Sequence, residues 1–261
     1  MTPDHSLTAD ELTYYRQHGF LIKEAVFSTD EIDRLRDSVE EAVANAWEQT
    51  RQGETYFIDS KRFVDVGNMT VQFEHEPGSE TIRVVEPAQY LHPDLEGLVT
   101  DLRITEPVKS ILGCDISIWS NKLNLKRAKE GSGFGWHQDS PYWVHTSDHL
   151  DLLPNVYLAF DDASEENGCL RIIDGSHTEG CLPGTNDGSQ LGGFFTDPNC
   201  FDEADAVSLT MKAGSLAFFN AHTIHGSNPN RSDEARRAIV MTYQPAGYPM
   251  LKTGEIQNIS S

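Results

Sequence analysis

Three His-x-Asp sequences are the parts of this chain whose residue types and spacing best suit metal chemistry. They are His92–Asp94, His137–Asp139 and His149–Asp151. Side chains alternate along a β-strand, so an imidazole and a carboxylate two residues apart share one face. A second histidine would complete a set of two histidines and one carboxylate. Such a set leaves positions on a non-haem ferrous ion open for a co-substrate and dioxygen.

The flanking residues separate the three sequences. In His92–Asp94 a proline stands where a helix would begin and acidic residues follow, which is typical of a helix start. His149–Asp151 lies in a polar stretch that favours a surface loop. His137 and Asp139 lie between a glycine-rich run at 131–135 and the aromatic run at 141–143, which together allow close backbone approach and exclude water. We therefore predict that His137 and Asp139 bind the metal.

The third ligand must come from a distant segment, and the sequence at 222–225 offers His222 and His225. Residues three apart on a strand face opposite ways, so only one of them can point inward. Arg236 and Arg237 follow, and they too would face opposite sides. A buried arginine beside a metal could hold a dicarboxylate with both arms of its guanidinium.

The predicted secondary structure around these residues changes from helices near the N-terminus to short strands beyond residue 115. Capping boxes at 8–11 and 28–31 predict helices over 12–18 and 30–50, and the runs 20–22 and 25–27 predict one short strand with a break. Beyond residue 115, short β-branched and aromatic runs predict strands at 116–126, 155–160, 169–173, 207–211, 215–219 and 238–243.

This pattern predicts an α+β, mainly β fold, with a double-stranded β-helix (jelly-roll) core and N-terminal helices packed on one sheet. We expect a single domain over residues 1–261, with residues 1–110 largely helical and residues 111–245 forming the core. The Gly- and Asp-rich segment 179–206 is either a lid near the site or a disordered excursion.

Composition narrows the class of partner. The 261 residues include 41 Asp and Glu against 20 Lys and Arg, a net charge of −21 that argues against nucleic acid and anionic membranes. No apolar run approaches the roughly 20 residues that span a bilayer, and no secretory signal is visible. Four cysteines without a C-x-x-C pair indicate reduced thiols and a cytoplasmic protein. The oligomeric state is not readable from the sequence.

Taken in order, the motifs resemble the phytanoyl-CoA 2-hydroxylase family of Fe(II)- and 2-oxoglutarate-dependent dioxygenases, which includes ectoine hydroxylase. The resemblance spans nearly the whole chain. Its matching segments are 123–126, 136–139, 166–170, 175–177 and 225–227, followed by Asn230 and Arg236. Asp174 and Ser215 depart from the residues usual in the family, and both lie outside the inferred metal shell.

The resemblance implies a role for each candidate residue. His137, Asp139 and His225 would bind Fe(II), and Arg236, rather than Arg237, would hold the far carboxylate of 2-oxoglutarate. Asn124, Lys122, Ser227 and Tyr157 are the other candidates for the co-substrate pocket, and Trp143 and Asn155 are candidates for substrate contact.

The function implied is oxidation with O2, most simply hydroxylation, of an unactivated C–H bond in a small-molecule metabolite, with release of succinate and CO2. Asp139 is present where related halogenases lack the carboxylate, which favours hydroxylation. Tyr142, Trp143 and the acidic chain favour an amphipathic or cationic substrate. The alternatives are a jelly-roll metal- or ligand-binding protein without turnover and a metalloenzyme that does not use 2-oxoglutarate.

Overall fold

The computed structural model describes residues 4–259, whose helices flank two antiparallel sheets. The helices are α1 (Ala9–His18), α2 (Thr29–Thr50), α3 (Pro93–Val99), α4 (Leu102–Leu112) and the short α5 (Ser140–Trp143). The strands are β1 (Phe20–Lys23), β2 (Glu54–Ile58), β3 (Lys61–Val66), β4 (Met69–Phe73), β5 (Ile82–Glu86), β6 (Ile116–Lys126), β7 (Phe134–His137), β8 (Asn155–Ala159), β9 (Leu170–Ile173), β10 (Ala206–Leu209), β11 (Leu216–Phe219), β12 (His225–Ser227), β13 (Arg236–Pro245) and β14 (Asn258–Ile259). Over this described range, no helix combines the length and the apolar character that a bilayer crossing requires.

The two N-terminal helices begin at the predicted capping boxes. Thr8 and Ser28 each accept a hydrogen bond from the backbone N–H three residues on, and a glutamate returns the bond at each site. Gly19 ends α1 in the left-handed conformation that glycine adopts without strain. α2 then presents Ile32 and Val39 to the large sheet, as its apolar stripe predicts.

The large sheet has the strand order β1-β11-β8-β13-β6-β5-β4-β3-β2, with β14 also paired to β6. Alternation along its strands gives it two different faces. Leu123 of β6, Leu158 of β8 and Ile239 of β13 pack in the same core as the helices. Their neighbours, such as Tyr157, point to the opposite, inner face.

The small sheet has the order β10-β9-β12-β7 and packs against that inner face. Ile172 and Leu209 of the small sheet share a core with Ala217 and Val240 of the large one. The fold is therefore the predicted jelly roll with helices covering one sheet. Lys122 and Asn124 of β6, Tyr157 of β8 and Arg236 of β13 line the space between the sheets.

The prediction that residues 1–110 are largely helical is wrong for 54–86. This stretch forms β2 to β5, an antiparallel meander that extends the large sheet. Its first two hairpins close on two-residue turns, Asp59-Ser60 and Gly67-Asn68. Asp59, Ser60 and Gly67 all have positive φ, as such turns require. The expected strand at 25–27 is also absent, since Ala25 has a φ of 52° and turns the chain.

Truncating Leu158 should destabilise the fold without altering the inner face of the sheet. The side chain is fully buried under the helices, so Leu158→Ala should lower the free energy of unfolding by about 2–5 kcal/mol. Urea denaturation measures the change, and Leu152→Ala at a 42% exposed leucine is the matched control. Equal losses in the two variants would contradict the packing described.

Candidate active site

A cavity of about 450 Å³ lies between the two sheets. Strands β6, β8 and β13 line one side, and β7 and β12 line the other. The hairpins β2 to β5 and the segment 179–206 contribute the rest of the wall. The cavity is thus built from elements far apart in sequence.

His137 and His225 lie side by side on one wall of this cavity, because they are directly opposite each other in the pairing of β7 with β12. Their ring centroids are 4.2 Å apart. Each Nδ1 lies against the backbone carbonyl two residues earlier, at 2.8 Å from Gly135 and 2.9 Å from Thr223. A carbonyl only accepts, so each Nδ1 carries the proton and each Nε2 keeps its lone pair for a metal.

Asp139 joins the two histidines from a turn and not from a strand. β7 ends at His137, and Asp139 has the helical φ of −78° at the start of α5. The sequence analysis predicted that His137 and Asp139 lie on the same face of one strand, and this prediction is wrong. Even so, ligand atoms of His137, Asp139 and His225 all lie within 4.8 Å of one another, and this is the one such group found within residues 4–259.

Two neighbours fix the Asp139 carboxylate. The amide of Asn155 donates to its Oδ2 at 2.7 Å, and Thr242 in turn donates to the Asn155 side-chain oxygen. Lys122 Nζ lies 3.6 Å from Oδ1. Asn155 is fully buried behind Asp139 and is not part of the cavity wall. Its predicted contact with substrate is therefore wrong, and the residue orients a metal ligand instead.

The three side chains hold the protonation states that metal binding needs. Burial lowers the pKa of His137 to about 3, and the nearby His225 lowers it further. Burial also lowers the pKa of His225. Burial alone would raise the pKa of Asp139, but Lys122 and both imidazoles hold it below its usual range. At neutral pH the site offers two neutral imidazoles and one carboxylate.

His222, the alternative third ligand, points away from the cavity. Its ring nitrogens lie 2.8 Å from Ser140 Oγ and 2.8 Å from Asp151 Oδ1, so both are already engaged. Of the other His-x-Asp sequences, His92 caps α3 as predicted, and His149 lies 3.2 Å from Gln244 Oε1.

Arg236 lies at the other end of the cavity. It is 2% exposed and donates to the Tyr157 hydroxyl at 2.8 Å, while its Nε has no hydrogen-bond partner within residues 4–259. Asn124 also lines the cavity, with a buried Oδ1 that is unpartnered in the same range. Arg237 faces outward and pairs with Asp161 at 2.8 Å. The sequence analysis favoured Arg236 over Arg237 for the co-substrate, and the placement of the two side chains is consistent with that prediction.

Ser227 lines the cavity near Arg236, and its hydroxyl accepts from Lys126 Nζ at 2.8 Å. Lys126 is fully buried and also donates to the Asn228 carbonyl. Burial lowers the pKa of Lys126 to about 6, and the charge of Arg236 lowers it further. The buried guanidinium of Arg236 makes this end of the cavity suited to an anion.

Trp143 and the segment 179–206 enclose the cavity beside the histidines. Trp143 is buried and packs edge-on against Trp119. Phe195 pairs with His137 through an isolated β-bridge, and Phe194 stacks on Tyr142 with ring centroids 4.4 Å apart. The segment contributes Leu191 and Phe195 to the cavity wall, beside the site as one of the two alternatives expected, and its action as a lid stays a prediction.

Sequence reasoning missed the wall contributed by β3 and β5, which includes Lys61, Arg62 and Arg83. The Gly67-Asn68 turn between alternating runs was an available hairpin signal. The pairing of β5 with β6, which carries these residues to the cavity, has no comparable local signal.

The fold and the His-Asp-His group define a non-haem iron oxygenase of the jelly-roll class. The family model of phytanoyl-CoA dioxygenase matches residues 15–238, and the chain belongs to that family. It is an Fe(II)- and 2-oxoglutarate-dependent dioxygenase, as the resemblance implied.

Individual relatives agree with this assignment. The chain is 27% identical over 252 residues to the ectoine dioxygenase of Bordetella parapertussis, covering 91% of this chain and 75% of the relative. It is 27% identical over 262 residues to the probable alpha-ketoglutarate-dependent hypophosphite dioxygenase of Stutzerimonas stutzeri, covering 97% and 84%. The crystal structure of EctD from S. alaskensis with 2-oxoglutarate and 5-hydroxyectoine superposes with a TM-score of 0.70 at 22% identity, covering 96% and 80%.

Removing the Asn155 amide should weaken metal binding. Asn155→Ala leaves one oxygen of Asp139 without its hydrogen bond, so Fe(II) affinity should fall about 10–100-fold. Anaerobic calorimetric titration of Fe(II) measures this, with the exposed Asn228→Ala as the matched control. Wild-type affinity in Asn155→Ala would show that the bond does not position the ligand.

Proposed function

We propose that His137, Asp139 and His225 hold Fe(II), and that Arg236 holds the far carboxylate of 2-oxoglutarate. The unpartnered Nε of buried Arg236 supports this fit, because a buried donor is rarely left unsatisfied and a carboxylate would accept from it. When bound, Fe(II) and 2-oxoglutarate activate O2 and supply the oxidising power, with succinate and CO2 as by-products.

Four further residues complete the proposed co-substrate pocket. Tyr157 fixes the Arg236 guanidinium through its hydroxyl, and the Ser227 hydroxyl lies in the same part of the wall, held by Lys126. Asn124 and Lys122 share the inner face of β6. Lys122 also keeps Asp139 ionised, since its charge opposes the effect of burial on the Asp139 pKa.

The substrate side of the proposed site is formed by Trp143 and the covering residues Tyr142 and Phe195. These side chains exclude water around the reacting centre and leave space for a small molecule. We propose hydroxylation of an unactivated C–H bond, because the carboxylate ligand Asp139 is present. The named relatives act on different compounds, ectoine and hypophosphite, so family membership alone does not identify this substrate.

The observation that carries this proposal is the joint placement of the His137–Asp139–His225 group and Arg236 in one cavity. A binding protein without turnover and a metalloenzyme without an oxo acid leave the buried Arg236 without a function. We propose that the whole chain acts as one domain, and in the cytoplasm, where its separated cysteines would stay reduced.

Replacing Asp139 tests the metal assignment. Asp139→Ala removes the anionic ligand, so succinate formation stimulated by substrate should fall below detection. Succinate release over a metabolite panel is the measurement, with the exposed Asp148→Ala as the control. Wild-type turnover by Asp139→Ala would refute the assignment. A visible band on anaerobic mixing of wild-type protein, Fe(II) and 2-oxoglutarate, without succinate from any compound, would favour the binding protein.

Replacing Arg236 tests the co-substrate assignment. Arg236→Ala should raise the 2-oxoglutarate concentration needed for half-maximal binding by about 10–100-fold, because a charged bidentate contact is lost. Arg236→Lys should recover part of the loss. Anaerobic titration of the Fe(II)-loaded protein measures it, and the outward-facing Arg237→Gln is the matched control. A loss in Arg237→Gln alone would move the assignment to that residue.

A further inference from the structure

The two residues that flank Asp139 in the sequence turn away from the cavity. Asp139 lies in the turn after β7, beyond the end of the strand pairing that places His137. Gln138 and Ser140, on either side of it, are both fully buried, and neither lines the cavity. Buried side chains behind a metal ligand can hold that ligand in place before the metal binds.

The segment just before β12 binds all three residues of this turn. The Ala221 carbonyl accepts from the backbone N–H groups of Asp139 and Ser140, at 3.0 and 3.1 Å. The Gln138 amide donates to the His222 carbonyl at 2.6 Å. Ser140 Oγ lies 2.8 Å from His222 Nδ1. These contacts tie the turn that carries the carboxylate ligand to the strand that carries the second imidazole.

The ring of His222 is itself held in one orientation. The residue is 5% exposed, and its Nε2 lies 2.8 Å from Asp151 Oδ1. A carboxylate only accepts, so Nε2 carries a proton, and Nδ1 of the neutral ring accepts from the Ser140 hydroxyl. The Asp151 side chain is 89% exposed. A network of hydrogen bonds therefore runs from the protein surface to the residue beside Asp139.

A serine, a histidine and an aspartate in this order also form the triad of many hydrolases, but burial excludes that activity here. A nucleophile must reach its substrate, whereas Ser140 is fully buried and is not part of the cavity wall. The network is therefore suited to holding a neighbouring residue in place and not to reacting.

We propose that His222 is a positioning residue for Asp139. Asn155 fixes the carboxylate end of Asp139, and His222 fixes its backbone end through Ser140, so the carboxylate is directed at the two imidazoles before the metal binds. This inference rests on the proposed role of Asp139 as a ligand. It also gives a function to His222 and Asp151, which belong to sequence motifs that the metal site does not use.

Two substitutions of His222 separate its two ring contacts. In His222→Asn the amide lies near the former Nδ1 and can still bond Ser140. In His222→Gln the longer side chain reaches toward Asp151 and leaves Ser140 without a partner. Anaerobic calorimetric titration should show Fe(II) affinity lower by about tenfold or more in His222→Gln, and within about threefold of wild type in His222→Asn. A role in packing alone would not favour the shorter amide.

Ser140→Ala removes the other end of the same contact and should lower Fe(II) affinity by a similar factor. Because both variants break one contact, the double variant Ser140→Ala/His222→Gln should lose little more than either single variant. The visible ligand-field spectrum of the Co(II)-loaded protein reports the arrangement of the ligands. It should change in Ser140→Ala and His222→Gln and stay as in wild type in His222→Asn.

His92→Gln is the matched control. The Nε2 of His92 also lies near an exposed acid, 3.4 Å from Glu41, and its Nδ1 accepts from the backbone N–H of Asp94. The residue is remote from the cavity, so its variant should bind Fe(II) within about twofold of wild type. Asp151→Ala changes an exposed side chain and should lower the affinity by a smaller factor, about threefold.

The outcomes separate this inference from the proposed function. If wild-type protein does not bind Fe(II), or if Asp139→Ala binds it as tightly as wild type, the ligand assignment is wrong and this inference falls with it.

If the ligand assignment holds, three results overturn the positioning role alone. These are wild-type affinity and spectrum in both His222→Gln and Ser140→Ala, equal losses in His222→Gln and His222→Asn, and additive losses in the double variant. If His222→Gln does not fold, Ser140→Ala and Asp151→Ala decide the question, and wild-type affinity in both overturns the proposal.

Discussion

The register of one short strand pair holds the metal centre together. β7 and β12 place His137 directly opposite His225, and the carbonyls of Gly135 in β7 and of Thr223, just before β12, set the tautomer of each ring. A slip of one residue would turn one imidazole to the other face of the sheet. The two-sheet core therefore determines both the position and the protonation of two ligands, and Asp139 has only to reach them from its turn.

On the opposite side of the cavity, the large sheet buries a positive charge that the proposed co-substrate would neutralise. Arg236 and Lys126 are both buried, and burial together with the charge of Arg236 lowers the pKa of Lys126 to about 6, so Arg236 is the charged one of the two at neutral pH. Burying unpaired charge lowers stability. An anionic co-substrate that pairs with Arg236 should therefore stabilise the folded state as well as take part in the reaction. The same fixed charges need little rearrangement when the anion arrives.

The sequence predicted the parts of this structure that depend on local pattern. β6 has the expected bounds, and both capping boxes start helices as expected. Alternation correctly put Lys122 and Asn124 on one face. Alternation could not predict the hydrogen bond between Asn155 and Asp139, because it shows which face a side chain lies on but not which residue it contacts. Nor could it place Arg62 at the cavity, since that position depends on strand pairings that run across the sheet to β6.

The wall of the cavity comes from two parts of the fold that are joined through one strand pair, β5 with β6. The jelly-roll strands carry the His-Asp-His group and Arg236, whereas the β2–β5 meander carries Lys61 and Arg62. The meander joins the core sheet through β5 alone. Insertions, deletions or exchanges in its two-residue turns would therefore reshape one wall while the redox apparatus stays in place. Enzymes built this way can acquire new specificities by replacing a peripheral hairpin.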